Sequence, residues 1–133
     1  MWGRIMQFDT ATYKDSEGNP VMYAYPANLS PASKQYEALV AERVANIQEA
    51  HPNKVGEPIP VDLVTSSGSG LDPNISVAAA MYQVERLAEN NQLTTEEIKK
   101  IIYECTESKF LGIFGEETVN VLKVNLMLEG ILK

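Results

Sequence analysis

The stretch LVTSSGSGLDPNIS, Leu63 to Ser76, sits in the middle of a 133-residue chain and divides it. Residues 60–65, Pro60-Val61-Asp62-Leu63-Val64-Thr65, are rich in β-branched and aliphatic side chains and predict a short strand. Ser66-Ser67-Gly68-Ser69-Gly70 then carries almost no side-chain bulk. Leu71-Asp72-Pro73 leads into a helix, which Asp72 or Ser76 could cap, the Ser76 start giving Val77, Met81, Val84 and Ala88 as a clean apolar stripe ending near Glu89-Asn90-Asn91. A strand, a turn of small hydroxylated residues and a helix, in that order, set the mixed character of the fold.

Upstream, Asp15-Ser16-Glu17-Gly18-Asn19-Pro20 is a dense turn signal inside residues 5–25, which predict a hairpin or two extended arms. Ser30-Pro31 predicts an N-cap with proline at the first helical position. Tyr36, Leu39, Val40, Val44 and Ile47 follow at helical spacing, with Lys34, Glu37, Glu42 and Glu49 opposite, and His51-Pro52-Asn53 ends the helix. Downstream, Thr94 and Glu97 predict a capping box, flanked by Leu93 and Ile98 as a hydrophobic staple. Ile98, Ile101, Ile102 and Cys105 form the apolar side of that helix. Phe110 to Gly115 is apolar and punctuated by glycine. Thr118 to Leu128 alternates, with Leu122, Val124, Leu126 and Leu128 on one face, and predicts a strand with one wet face. Helices segregated against a small sheet, about three of them, make the expected class α+β, in one domain over residues 1–133.

Composition narrows function by exclusion. The chain is 44% hydrophobic, enough for a real core, and carries a formal net charge of −7. That balance disfavours nucleic acid, because phosphate neutralisation needs clustered Lys and Arg. Cys105 is the single cysteine and His51 the single histidine. No internal disulfide is available, and a transition-metal site would have to be built almost entirely from carboxylates. Glu96-Glu97 reads as a helix first turn, Glu116-Glu117 as a solvated turn, and Cys105 as a small core residue.

The glycine-rich stretch fits no catalytic template. A phosphate loop closes on Lys and a hydroxyl, and here Asp72 stands where the Lys belongs. A nucleophile elbow needs G-x-S-x-G, and Ser67-Gly68-Ser69-Gly70 does not match it. A serine triad would depend on His51, which reads as an exposed residue at a helix end. Ser66, Ser67, Gly68, Ser69, Gly70, Leu71, Asp72 and Pro73 are therefore expected to form a shaped structural or docking loop. The glycines permit positive φ or close backbone approach, and the serines satisfy backbone groups in a tight turn.

The same residues carry a resemblance. Asp62 to Ser76 is similar to the signature of the KdpC family, the accessory component of Kdp-type potassium-transporting ATPases. The likeness continues through Ala78-Ala79-Ala80 and Gln83-Val84-Glu85-Arg86, then Thr106-Glu107, Leu111-Gly112-Ile113-Phe114-Gly115-Glu116 and Val119 to Leu126. Trp2-Gly3-Arg4 and Asn28-Leu29-Ser30-Pro31 resemble family elements near the start. Asn74 stands where the family usually has His, Ser108 where Thr-Glu is usually followed by Gly, and residues 7–25 match poorly.

The resemblance implies a non-catalytic accessory subunit of an ATP-driven potassium uptake pump. It implies a role in complex assembly, and a catalytic-chaperone role that raises the ATP affinity of the pump subunit. Its implied partners are the channel-like potassium-translocating subunit and the P-type ATPase subunit. The implied location is the cell membrane: a single N-terminal transmembrane helix upstream of Trp2 anchors this domain on the extracytoplasmic side. It implies no cofactor and no catalytic residue. The competing expectation is a ligand- or nucleotide-binding domain, or an enzyme, built on the Ser66–Asp72 loop.

Overall fold

The computed structural model describes residues 1–9, 11–25, 28–108 and 115–132. Strands β1 (Gln7–Asp9) and β2 (Tyr23–Tyr25) pair antiparallel, Phe8 opposite Ala24. The hairpin end is organised by Asp15, whose Oδ1 accepts the backbone N–H groups of Glu17 and Asn19. Helix α1 (Lys34–Ala50) follows. Next come 3₁₀ turns at Pro52–Lys54 and Val61–Leu63, strand β3 (Asn74–Ser76), and helices α2 (Val77–Tyr82), α3 (Val84–Asn91) and α4 (Thr95–Glu104). Strands β4 (Thr106–Glu107) and β5 (Thr118–Asn120) and helix α5 (Val121–Leu128) complete the order.

The second sheet is antiparallel in the order β3-β5-β4. Ile75 faces Val119, and Val119 also faces Thr106. Ile75 and Val119 are buried at the centre, and the helices supply the rest of the core: Ala79, Ala80, Leu87, Ile98, Ile102 and Val124. A small sheet with helices packed on it is the α+β class that the sequence implies. Thr94 and Glu97 form the expected reciprocal capping box, and Cys105 is buried as expected. The apolar segment 110–114 lies outside the described residues.

Four expectations are corrected. The first concerns α1, which is capped by Ser33, whose Oγ accepts from the N–H of Tyr36 at 3.1 Å. Ser30 instead closes the preceding turn, accepting from the N–H of Ala32. Secondly, residues 60–65 do not form a strand. Leu63 and Val64 donate their N–H groups back to Pro60 and Val61, which turns Asp62 inward; the β-propensity of Val and Leu is overridden by that tertiary demand.

The third correction is a break in the helix after Ser76. Ser76 caps it as expected, accepting from Ala79. At Gln83, however, the side-chain Nε2 donates to the carbonyl of Ala79, the i−4 acceptor that the backbone N–H would use, and that N–H bonds Ala80 instead. The fourth concerns residues 121–128, which are helical. Asn120 Oδ1 accepts from the N–H of Lys123 and starts a helix where strand β5 stops. Alternation had selected Leu122, Val124, Leu126 and Leu128, but spacing of three and four places Val121, Val124, Met127 and Leu128 on one side. Leu122 points outward.

Helix and strand readings of 121–128 predict opposite mutational outcomes. Val124→Ala should cost about 1.5–3 kcal/mol in urea unfolding, whereas Leu122→Ala should stay within about 0.5 kcal/mol. Comparable losses at both positions would restore the strand.

Candidate functional site

Residues Met1 to Ile5 form a strap across the domain, fastened in turn to several different elements. The backbone of Met1 meets the side-chain amide of Asn125 on α5, whose Nδ2 donates to the Met1 carbonyl at 3.1 Å. The N–H of Trp2 donates to Gln83 Oε1 at 2.8 Å, and Gln83 Nε2 donates to the Trp2 carbonyl at 3.0 Å. This two-way pairing has the form of a β-bridge in which one partner is a side chain. Arg4 Nη2 lies 2.6 Å from Asp62 Oδ1, and its Nε lies 3.6 Å from Asp72 Oδ2. The N–H of Ile5 reaches the carbonyl of Thr65.

The loop from Asp62 to Ser76 is shaped around this strap. Asp62 is buried and bridges two elements. While Oδ1 holds Arg4, Oδ2 accepts the N–H of Ser76, the residue that caps α2, at 2.8 Å. Asp72 Oδ1 accepts from the N–H of Asn74 in the same way. Arg43 on α1 is buried and donates from Nη1 to the carbonyl of Val64. The Pro73 carbonyl accepts from the N–H of Val121 at the head of α5.

The serines serve the loop itself. Ser67 Oγ accepts from the N–H of Asp72, and Ser69 Oγ from that of Leu71. Gly70 is buried at φ +74, a conformation that L side chains rarely adopt, and donates to the Ser67 carbonyl. Gly68 has open space where a side chain would be. Arg4, a cation at the loop, is engaged by two carboxylates, Asp62 and Asp72, which leaves the loop without a free positive charge from that residue for an anion. Leu71 and Pro73 remain exposed at its surface.

His51 departs from expectation. It is buried rather than exposed, between Trp2 at 6.0 Å, edge to face, and Tyr82 at 5.1 Å. Its Nδ1 meets the carbonyl of Ile47 at 2.8 Å, and its Nε2 accepts from Arg86 Nε at 3.1 Å. The Arg86 guanidinium lies 4.1 Å from the centre of the Trp2 ring and also donates to Gln83 Oε1. Gln83, fully buried, thus accepts from Trp2 and Arg86 and donates to Trp2 and Ala79, which saturates both ends of its amide.

Sequence reasoning flagged Ser66–Pro73 but missed the strap that positions it. A signal was present: Trp2-Gly3-Arg4, Asp62 and Asp72, Gln83 and Arg86, and Asn125 all lie in stretches that carry the family resemblance, and the structure gathers them at one place. Among the described residues, no group of three or more His, Cys, Asp and Glu side chains is placed to hold a metal ion, and no helix is long and apolar enough to cross a membrane.

Comparison with known proteins gives a consistent result. The family model described as "K+-transporting ATPase, c chain" matches residues 1–130. The potassium-transporting ATPase KdpC subunit of Clostridium perfringens is 60% identical over 133 residues, which are 100% of this chain and 67% of that protein. The corresponding protein of Clostridium botulinum strain Alaska E43 is 57% identical over 100% of this chain and 66% of its own length. That of Serratia proteamaculans is 45% identical over 98% of this chain and 65% of its own. The chain therefore spans about two thirds of the length of these relatives.

The network makes Asp62 the most sensitive residue of the loop. Asp62→Ala strands a partly buried guanidinium and an N–H at a helix start, and should cost about 2–4 kcal/mol. Ser69→Ala removes one bond at an exposed turn and should cost at most about 1 kcal/mol. Equal, small losses in denaturant unfolding would show that the strap contributes little to the fold.

Proposed function

The chain belongs to the K+-transporting ATPase c chain (KdpC) family, and we propose that it is the extracytoplasmic domain of the accessory subunit of an ATP-driven potassium uptake pump, docking onto its partners through the face that joins the strap to the Ser66–Pro73 loop. A transmembrane helix preceding Trp2 would fix the domain to the membrane. The channel-like subunit and the P-type ATPase subunit are the proposed partners.

The observation that carries this reading is a shallow apolar groove of about 250 Å³ along the strap, walled by Met6, Leu71, Pro73 and Leu122. Leu71 and Leu122 are 60% and 61% exposed, although each sits in an otherwise well-anchored element. Exposed aliphatic side chains on a rigid frame suit a protein interface, because they lose little entropy on docking. The hydrogen bonding of the loop points the same way: Ser67 and Ser69 accept from its own backbone N–H groups, and Asp62 and Asp72 surround it with negative charge, which suits a preformed surface better than a phosphate cradle.

Assistance to ATP binding would then be indirect. ATP is cytoplasmic, whereas this domain is proposed to lie on the other side of the membrane, so any effect on the affinity of the ATPase subunit passes through assembly and conformational coupling. A frame that joins strap, loop, α3 and α5 can bias such an equilibrium only if its docked and undocked forms bind partners unequally.

The test places Leu71→Glu in the full-length subunit alongside the other pump components. The unfolding free energy of the 133-residue chain should change by less than about 0.5 kcal/mol. Recovery of the intact complex and K+-stimulated ATP hydrolysis should both fall. Wild-type recovery and hydrolysis, with an unchanged KM for ATP, would place docking elsewhere.

A further inference from the structure

The one histidine of the chain sits where a proton would do the most local damage. His51 closes α1 and is packed between Trp2 and Tyr82. Its two nitrogens have fixed and different roles. Nδ1 faces a carbonyl, Ile47 O, which can only accept; Nε2 faces the Nε–H of Arg86, which can only donate. The ring is therefore neutral, with its proton on Nδ1. A second proton could go only to Nε2, directly against a guanidinium N–H.

We propose that His51 and Arg86 form a proton-operated latch for the N-terminal strap: protonation of His51 expels Arg86, and with it the cation–π contact on the Trp2 ring and the Arg86 bond to Gln83, the amide that pairs with the Trp2 backbone.

The chain of contacts is short. Arg86 joins His51, Gln83 Oε1 and the face of the Trp2 ring. Once Nε2 is protonated, the Arg86 Nε–H loses its acceptor and meets a like charge. Displacement of the guanidinium removes the cation–π contact on the Trp2 ring and the Arg86 bond to Gln83 together, leaving the Trp2 backbone paired with Gln83 and the indole without its cation. The charged surroundings do not neutralise the added proton. Arg86 and Glu85 reach the site from α3, Lys54 from the 3₁₀ turn at residues 52–54, and Glu89 lines the small cavity beside the ring. Lys54 is already paired with Glu57 and Glu85 and lies 5.6 Å from the centre of the Tyr82 ring. Tyr82 is a neutral neighbour at ordinary pH.

Burial holds the imidazole below its usual value, reinforced by the Arg86 and Lys54 cations and opposed by the Ile47 carbonyl and Glu85. The folded chain thus takes up this proton at lower pH than the unfolded chain, so the stabilisation is complete above the unfolded value of 6.5 and is lost as pH falls below it. An ordinary imidazole titrates in this region, whereas ordinary carboxylates and side-chain ammonium groups do not. The Met1 amino group, lowered to about 6 by burial and by the Arg86 cation, titrates there as well and has to be blocked in the test.

Trp2 is the only tryptophan of the chain, so its fluorescence reads the latch directly. The 133-residue chain, acetylated at Met1 so that its amine no longer titrates, is followed from about pH 8 to about pH 5, across the imidazole range, by Trp emission, acrylamide quenching and far-UV circular dichroism. The expected result is a red shift and a larger quenching constant below the ordinary imidazole value, with the dichroism unchanged. His51→Gln keeps an acceptor for Arg86 but cannot titrate, and should give a flat profile with Trp2, itself partly exposed, at the emission and quenching it shows in the wild type at about pH 8. Arg86→Gln removes the guanidinium and should give a flat profile with Trp2 more accessible to quencher throughout than in the wild type. A flat wild-type profile, a step that persists in either variant, or loss of helical dichroism in the same step would each overturn the latch.

Discussion

The carboxamide of Gln83 is fully buried and has to find all its hydrogen-bond partners inside the protein. A buried amide left half satisfied costs about 1–3 kcal/mol. The backbone of Trp2 fills the need by presenting an N–H and a C=O at once. The same amide donates to the Ala79 carbonyl where the helix breaks between α2 and α3, and its pairing with Trp2 fixes the first residues of the chain. It also brings Arg4 within reach of Asp62 and Asp72. The loop, the cap of α2 and the head of α5 then follow as neighbours of a fixed strap. Each of these elements depends on the others for its buried polar partners, so the region is expected to respond as one unit rather than as separate contacts.

What the sequence made legible follows from local rules. The Thr94–Glu97 box, the Ser76 cap and the turn at Asp15 depend on residues within a few positions of one another, and each is present. What it hid depends on distance or on ambiguous periodicity. Residues 121–128 carry apolar side chains that satisfy a period of two and a spacing of three and four alike, and Asn120 as a cap decides between them. The 60–65 segment has strand-like side chains but is bent by the need to aim Asp62 at Arg4, which lies far earlier in the chain. His51 beside a proline had every local sign of exposure; its burial is set by Trp2, Tyr82 and Arg86, none of which is local.

The candidate site was legible in half. Small residues and hydroxyls pointed to a loop at Ser66–Pro73, where Ser67 and Ser69 accept from the loop's own backbone and Gly70 adopts the positive φ that a glycine permits. The strap was not legible from spacing or composition, because nothing in Trp2-Gly3-Arg4 alone names its partners. The family-like stretches pointed to it only as a set. Their convergence gives a physical reason why those residue types occur together: an amide to hold a peptide unit, two carboxylates to hold a guanidinium, and a second guanidinium to cover the indole.

Native-state hydrogen exchange at the backbone amide of Trp2 tests this account most directly. Under conditions where His51 is neutral, the Trp2 N–H should exchange through an opening as costly as that of Leu87, whose N–H bonds the Gln83 carbonyl one turn into α3. Exchange of Trp2 at the unprotected rate, with Leu87 still protected, would mean that the strap is an appendage and that the domain holds together without it.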